Sequence, residues 1–176
     1  MKKLIMIPFF ILIFISTTSA QKDPVDDLFD RYAGKEGITT VFISSRMLSL
    51  FSGLTQEDKE VSDLMGRLSS IRILTVDDPG LNSKINLYTE LGNKLNFKEY
   101  EELMVVNEGS DMVRFLIKET GNKISELLMI TTGESNSLIS VRGDIDLKSI
   151  SSLSQTMGIE ELERLEGVKR KEVIKK

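Results

Sequence analysis

The chain has 176 residues, 40% of them hydrophobic, a formal net charge of −4 at pH 7, and neither cysteine nor histidine. This composition excludes disulfides, thiol catalysis and histidine as a general base or metal ligand, and the acidic balance disfavours nucleic-acid binding, which depends on neutralising phosphates. We expect one ordinary globular domain that is held together by core packing alone.

The first twenty residues have the pattern of a secretory signal. Met1–Lys3 is a positively charged start, Leu4–Ile15 is an apolar run, and Ser16–Ala20 is a small-residue exit before the expected cleavage. The apolar run contains Pro8 and is shorter than the roughly 20 residues of a membrane-spanning helix, and an uncleaved anchor is the alternative. We therefore expect an exported protein, periplasmic or extracellular, with no Cys-anchored lipid and no transmembrane segment after cleavage.

Helices and strands alternate in the next part of the chain. An Asp-Pro pair combines a capping carboxylate with a proline at the first helical position, and it predicts helix starts at Asp23-Pro24 and Asp78-Pro79. β-Branched runs predict strands at 37–43 and 71–76. Apolar residues at helical spacing complete the order helix, strand, helix, helix, strand, helix. Apolar stripes on one helix face are expected for Val25, Leu28, Phe29 and Tyr32, for Val61, Leu64, Met65 and Leu68, and for Leu81, Ile85, Tyr88, Leu91 and Leu95. The short second helix carries Met47, Leu48, Leu50 and Phe51.

The second half of the chain predicts a meander of four antiparallel strands. Apolar runs at 103–106, 112–118, 124–131 and 138–141 are separated by clusters of Gly, Asn and Ser, as in consecutive hairpins. Asp146 can cap a last helix that Gly158 ends. We predict an α+β fold, mainly an antiparallel sheet with a C-terminal four-strand meander and helices packed on one face. The domain would span 21–158, after the signal at 1–20, and a charged, flexible C-terminal tail would occupy 159–176.

Strand alternation assigns two sides to this meander. With a two-residue turn at 121–122 and a four-residue loop at 134–137, one side carries a row formed by Arg114, Met129 and Arg142, and Leu116 and Leu127 enlarge its apolar area. We expect this row to face water or a partner. The helices would cover the other side, which carries Val113, Phe115, Ile117, Leu128, Ile130, Ile139 and Val141.

Glu126 is out of place in this register, because it falls on the apolar side. A carboxylate there must lie near the end of the sheet, pair with a cation such as Arg46 or Arg72, or titrate unusually. We therefore predict that Glu126 is a buried or paired carboxylate.

Several short stretches, taken in order, resemble the DUF4252 family. They are the opening from Phe29-Asp30-Arg31-Tyr32 to Ser44, Tyr100-Glu101-Glu102-Leu103-Met104, Ile124-Ser125-Glu126-Leu127-Leu128, and the segment from Gly143 to Ile150. The resemblance covers about residues 24–153. It implies a small exported protein of Bacteroidetes, with a compact α+β domain in a Gram-negative envelope and no established activity. It supplies no catalytic residues.

The function that these features favour is non-catalytic binding. The predicted row of Arg114, Leu116, Leu127, Met129 and Arg142 would contact an unknown envelope protein or an anionic ligand. The rival interpretation of the row is an ordinary solvated sheet face. No cofactor is expected, because no phosphate-binding loop or other cofactor motif is present.

Two other functions remain open. A small hydrolase or metal-dependent enzyme could use Glu126, Asp144 and Asp146 for acid/base work or for Ca²⁺. The same residues are also explained as an arginine partner, a turn residue and a helix cap. Carboxylates that converge on one pocket would favour the enzyme, and carboxylates scattered over caps and turns would favour the binding domain. The remaining alternative is an envelope stress-response component.

Overall fold

The computed structural model describes residues 22–54 and 59–146 of the chain. The expected signal at 1–20, the helix expected after Asp146 and the expected tail at 159–176 lie outside the described residues. Within the described ranges, no helix combines the length and the apolar character that crossing a membrane requires.

Helices and strands in the described ranges follow the predicted order. Asp23 and Asp78 cap helices as expected, since their carboxylates accept hydrogen bonds from backbone amides of the first helical turn. The helices are α1 Pro24–Tyr32, α2 Ser45–Leu54, α3 Lys59–Arg67, α4 Pro79–Asn82 and α5 Leu87–Gly92, followed by a 3₁₀ turn at Phe97–Glu99. The strands are β1 Ile38–Ser44, β2 Leu68–Val76, β3 Glu101–Glu108, β4 Asp111–Thr120, β5 Lys123–Thr132 and β6 Asn136–Ile145.

The single helix expected after Asp78 is divided into α4 and α5. Asn86 starts the second helix by accepting a hydrogen bond from the Thr89 amide at 2.8 Å. The Ile85 carbonyl oxygen just before it accepts one from the Asn136 side chain at 2.8 Å. The apolar spacing did not show this break, because Asn competes for backbone hydrogen bonds and so ends one helix and caps the next.

The strands form one antiparallel sheet in the order β1-β2-β6-β5-β4-β3. The α+β class and the meander of β3 to β6 are therefore confirmed. β2 continues the sheet beyond β6, and β1 and β3 are the edges.

The predicted register was wrong in both hairpins that involve β5. A bulge at Ser125 lies between the pairs Glu119↔Ile124 and Lys118↔Glu126, and it shifts the rest of β5 by one residue, so that Arg114 faces Ile130 instead of Met129. The β5-β6 loop is Gly133–Ser135, so Met129 faces Ile139 rather than Arg142. Because side chains alternate along a strand, each shift by an odd number of residues moves β5 side chains to the other face.

Helices pack on both faces of the sheet, and the prediction of helices on one face was wrong. One face, here called the α2–α3 face, packs against Leu48, Val61, Leu64 and Met65. The opposite α1–α5 face packs against residues of α1 and α5 that include Val25, Leu28, Leu87 and Leu91. The physical reason lies in the central strands. The run from Leu127 to Ile130 is buried on both sides, and a strand that is apolar on both sides needs two covering layers.

Candidate functional site

The predicted contact row is not an open surface in this fold. Arg114 and Arg142 do share the α1–α5 face, but Leu116 on that face is only 4% exposed. Leu127 and Met129 lie on the α2–α3 face and are fully buried. The expectation of an exposed row was therefore wrong, because the register shifts of β5 separate its members and helices cover both faces.

Glu126 is buried, 4% exposed, and hydrogen-bonded through both carboxylate oxygens. Its Oε1 accepts from Ser140 Oγ and from Arg142 Nε, both at 2.8 Å, and its Oε2 accepts from the Tyr100 hydroxyl at 2.7 Å. The buried, paired state was expected for Glu126, but its cation is Arg142 and not Arg46 or Arg72. The three-residue loop Gly133–Ser135 is the reason, since it sets the β5–β6 register that places Glu126 directly opposite Arg142.

Arg142 joins this carboxylate to the start of α1. Its Nη1 donates to Asp26 Oδ1 and its Nη2 to Asp23 Oδ1, each at 2.8 Å, so all three nitrogens of the guanidinium are bonded to carboxylates. Burial alone lowers the pKa of Arg142, but the charges of Glu126, Asp23 and Asp26 outweigh this and raise the pKa above its ordinary value. Arg142 therefore stays charged and anchors the first turn of α1 to β6.

Tyr100 completes the cluster as a hydrogen-bond donor. Burial, followed by the negative charge of Glu126, raises the pKa of Tyr100 well above its ordinary value. The phenol is thus kept protonated, which lets it donate to Glu126 and makes it a poor general base at neutral pH. The carboxylate is buried and accepts hydrogen bonds from three donors, so the cluster of Asp23, Asp26, Glu126 and Arg142 acts as a structural anchor.

The three carboxylates of the enzyme hypothesis do not form a shared site. Asp144 forms an ion pair with Lys123, Glu126 is enclosed with Arg142, and Asp146 is exposed at the end of β6. Across residues 22–54 and 59–146, no group of three or more potential ligands is placed to hold a metal ion. The three carboxylates are thus scattered and do not converge on one pocket.

Arg114 is also engaged by neighbours. Its Nη1 pairs with Glu102 Oε2 at 2.5 Å, and its guanidinium lies 4.8 Å from the centre of the Tyr88 ring. An anion would therefore have to compete with a carboxylate already in place. Arg114 is a poor candidate for the anion site that the sequence had suggested.

The apolar surface that remains exposed surrounds the edge strand β1. Phe42 is 61% exposed and Val41 is 38% exposed, on opposite faces of this strand. Met47 and Leu50 on α2, at 45% and 60%, lie on the exposed side of the helix that follows. Four of the five exposed large hydrophobic side chains in the described ranges thus belong to β1 and α2, and the fifth is Val106 on β3.

A small cavity lies beside β1 on the α1–α5 face. It has a volume of about 100 Å³, and its wall includes Phe29 of α1, Ala33 just after α1, and Thr40 and Phe42 of β1. Arg72 also lines it, with its guanidinium 4.8 Å from the Phe42 ring centre and 5.8 Å from that of Phe29. The edge of β1 therefore combines a protruding aromatic ring with an aromatic-lined recess.

The two edges of the sheet differ in charge and regularity. β1 reads Ile-Thr-Thr-Val-Phe-Ile-Ser and pairs with β2 without a bulge. β3 carries Glu101, Glu102 and Glu108, and its register with β4 shifts between Glu102 and Met104. Charged residues and bulges usually prevent an exposed edge strand from pairing with a strand of another chain. β3 has both features and β1 has neither.

Sequence analysis did not identify the β1 edge as a candidate site. The strand itself was predicted at 37–43, but its position at an edge depends on pairing between distant segments. One signal was available, since β1 lacks any charged residue while the opposite edge strand has three. Met47 and Leu50 were predicted as part of the helix that follows β1, and their exposure was not predicted.

Comparison with known proteins identifies a family. The model of a family described as a domain of unknown function, DUF4252, matches residues 32–153, which is more than half of the chain. No curated protein and no solved structure matches.

Proposed function

Because the chain belongs to the DUF4252 family, whose description assigns no activity, we propose its function from its surface: an exported, non-catalytic binding domain that uses the free edge of β1. The contact surface consists of β1 itself and the exposed side chains of Val41, Phe42, Met47 and Leu50. It replaces the sheet face suggested by the sequence pattern. Export is part of the proposal and is supported by the signal pattern at 1–20.

The observation that carries this proposal is an unprotected edge strand. An edge strand presents unpaired amide and carbonyl groups, and an added strand can pair with them. In the part of the chain that the structure describes, no strand pairs with the outer side of β1. Exposed apolar residues on both sides of that edge would supply the side-chain contacts that make such pairing stable.

The absence of an assembled catalytic constellation in the described ranges supports binding rather than catalysis. Glu126 is buried and bonded to three donors, and Asp144 is paired with Lys123. A general acid or base must reach a bound substrate, which a buried carboxylate with three donors does not.

Photo-crosslinking in the native cell tests this proposal. A photo-reactive phenylalanine analogue would replace Phe42 in one variant and Val106, at the other edge of the sheet, in a matched control. We expect an adduct in the envelope fraction from the variant at position 42 and little or none from the control. Equal labelling from both positions, or none from position 42, would contradict the assignment of β1 as the contact surface.

A further inference from the structure

We propose that the partner of β1 is β1 of a second copy of this chain, in a twofold antiparallel pair that joins two sheets edge to edge. The inference rests on the proposed function, since it names the partner for the same surface. Three properties of the strand support it: the direction of its free backbone groups, the position of Phe42, and its lack of charge.

The direction of the backbone groups follows from the residue before β1. The Asp77 amide donates to the Gly37 carbonyl oxygen at 2.9 Å, so this carbonyl points toward β2. In a trans peptide the amide of the next residue, Ile38, points the opposite way. The outward groups then alternate along the strand and belong to Ile38, Thr40, Phe42 and Ser44, and among them the Ile38 amide already donates to the Lys35 carbonyl oxygen at 3.3 Å.

Full overlap of the strand with itself places the residues that carry these groups opposite each other, with Thr40 and Phe42 at the centre. In the antiparallel pair of Ile38–Ser44 with its copy, Ile38 lies opposite Ser44 and Thr40 lies opposite Phe42, with Val41 on the twofold axis. Residues with outward groups thus meet each other, which is the condition for hydrogen-bonded pairs. No other overlap of the two strands pairs the whole length of both.

The same register brings Phe42 to the recess beside Thr40. Phe42 and Thr40 lie on the same face of β1, paired with Arg72 and Leu74 of β2. In the twofold pair, Phe42 of each copy lies beside Thr40 of the other, at the wall of the cavity of about 100 Å³ that is also lined by Phe29, Ala33 and Phe42 of that other copy. A ring that is 61% exposed in one chain therefore gains an aromatic-lined site in the next, in both directions at once.

Charge distinguishes β1 from the other edge as the self-pairing strand. Self-pairing of β1 brings no like charges together, because the strand has no charged residue. Full overlap of β3 with itself would place Glu101 opposite Glu108, and carboxylates directly opposite each other are destabilising. The two-copy contact is thus specific to one edge.

Cysteine crosslinking tests the register directly, because the chain contains no cysteine. In the proposed pair, Val41 is a non-hydrogen-bonded position opposite its own copy, with a Cα separation of about 4.5 Å that suits a disulfide. The exported protein carrying Val41→Cys should form a disulfide-linked dimer under mild oxidation. Val106→Cys is the matched control, since Val106 is 39% exposed on β3 and Val41 is 38% exposed on β1. Val41→Cys that crosslinks no faster than Val106→Cys would overturn the proposal.

Sedimentation of the purified exported protein supplies a second measurement. We expect twice the mass of one chain for the wild type and for Val106→Asp, and the mass of one chain for Val41→Asp, which would place two carboxylates on the twofold axis. Circular dichroism would verify that each variant is folded. If Val41→Asp does not fold, the crosslinking result alone decides whether the two copies pair.

A monomeric wild type throughout the micromolar range overturns the proposal. A photo-adduct from position 42 to a different protein, with no self-adduct, would retain the proposed function but reject self-pairing, and no adduct at all would reject both.

Discussion

Arg142 connects parts of the chain that are far apart in sequence. It bonds Glu126 on the neighbouring strand and Asp23 and Asp26 at the start of α1, each at 2.8 Å. The sequence pattern predicted that Arg142 faces solvent, because β5 was expected in a register that turns its side chains to the other face. The expectation for Glu126, by contrast, depended only on its place in an apolar run and was met. A residue's need for a partner could thus be predicted, but the identity of the partner could not.

Replacing Arg142 should strongly destabilise the fold. Arg142→Met would leave Glu126 buried without its cation, and removing one member of a buried ion pair costs about 3–5 kcal/mol. Chemical denaturation followed by circular dichroism measures the loss in the free energy of unfolding. Arg114→Met is the matched control, because the Arg114 side chain is 27% exposed, close to the 21% of Arg142, but its partner Glu102 is 44% exposed. An exposed pair is worth about 0–1 kcal/mol, so equal losses in the two variants would contradict the anchoring role of Arg142.

At the scale of elements, backbone geometry determines where β2 and β6 meet. Gly143 has φ +147°, and a Cβ at this position would lie 2.6 Å from both the Arg67 carbonyl oxygen and the Leu68 Cα. The register of β2 with β6 shifts at the same point, between Leu68 and Ser70. The close approach of another backbone at this glycine became visible only in the folded sheet.

Substitution of Gly143 should therefore lower the free energy of unfolding more than substitution of a glycine that has open space around it. Gly143→Ala should lower the free energy of unfolding by more than about 1 kcal/mol, because it combines backbone strain with contact against fixed backbone atoms. Gly34→Ala separates the two effects, since Gly34 has φ +74° but nothing within 4 Å of its added Cβ. Urea denaturation of both variants provides the comparison. A loss at Gly143 no greater than the loss at Gly34 would show that the close approach carries no cost.

For the molecule as a whole, ionisation of Tyr32 lowers the free energy of unfolding at high pH. Burial and the hydrogen bond to the Glu90 carboxylate raise the pKa of Tyr32 from 10.0 to about 12. Between these values the folded chain binds more protons than the unfolded chain, so the free energy of unfolding falls as pH rises through this window. Below about pH 10 the stabilisation is fully present.

Denaturation curves measured between about pH 10 and pH 12 should show the free energy of unfolding falling as pH rises. The Tyr32→Phe variant should show a smaller fall per pH unit. At neutral pH this variant should lose about 1 kcal/mol, since the hydrogen bond of 2.6 Å to Glu90 is absent. Its difference from the wild type should shrink as the pH approaches about 12, because the wild type then loses the same contribution. A difference that stays constant from neutral pH to the end of the window would contradict the assignment.

The sequence by itself determined the element types, the α+β class, the four-strand meander and the burial of Glu126. These depend on periodicity, caps and turns within short segments, where local chemistry decides the outcome. The tertiary structure alone decided which side of the sheet each β5 residue faces, that helices cover both faces, and that β1 is an unprotected edge. A one-residue bulge at Ser125 and a three-residue loop at Gly133–Ser135 reverse side-chain parity, and an edge is defined by strands that are distant in sequence. The surface available for binding therefore follows from pairing between distant segments, which no local pattern encodes.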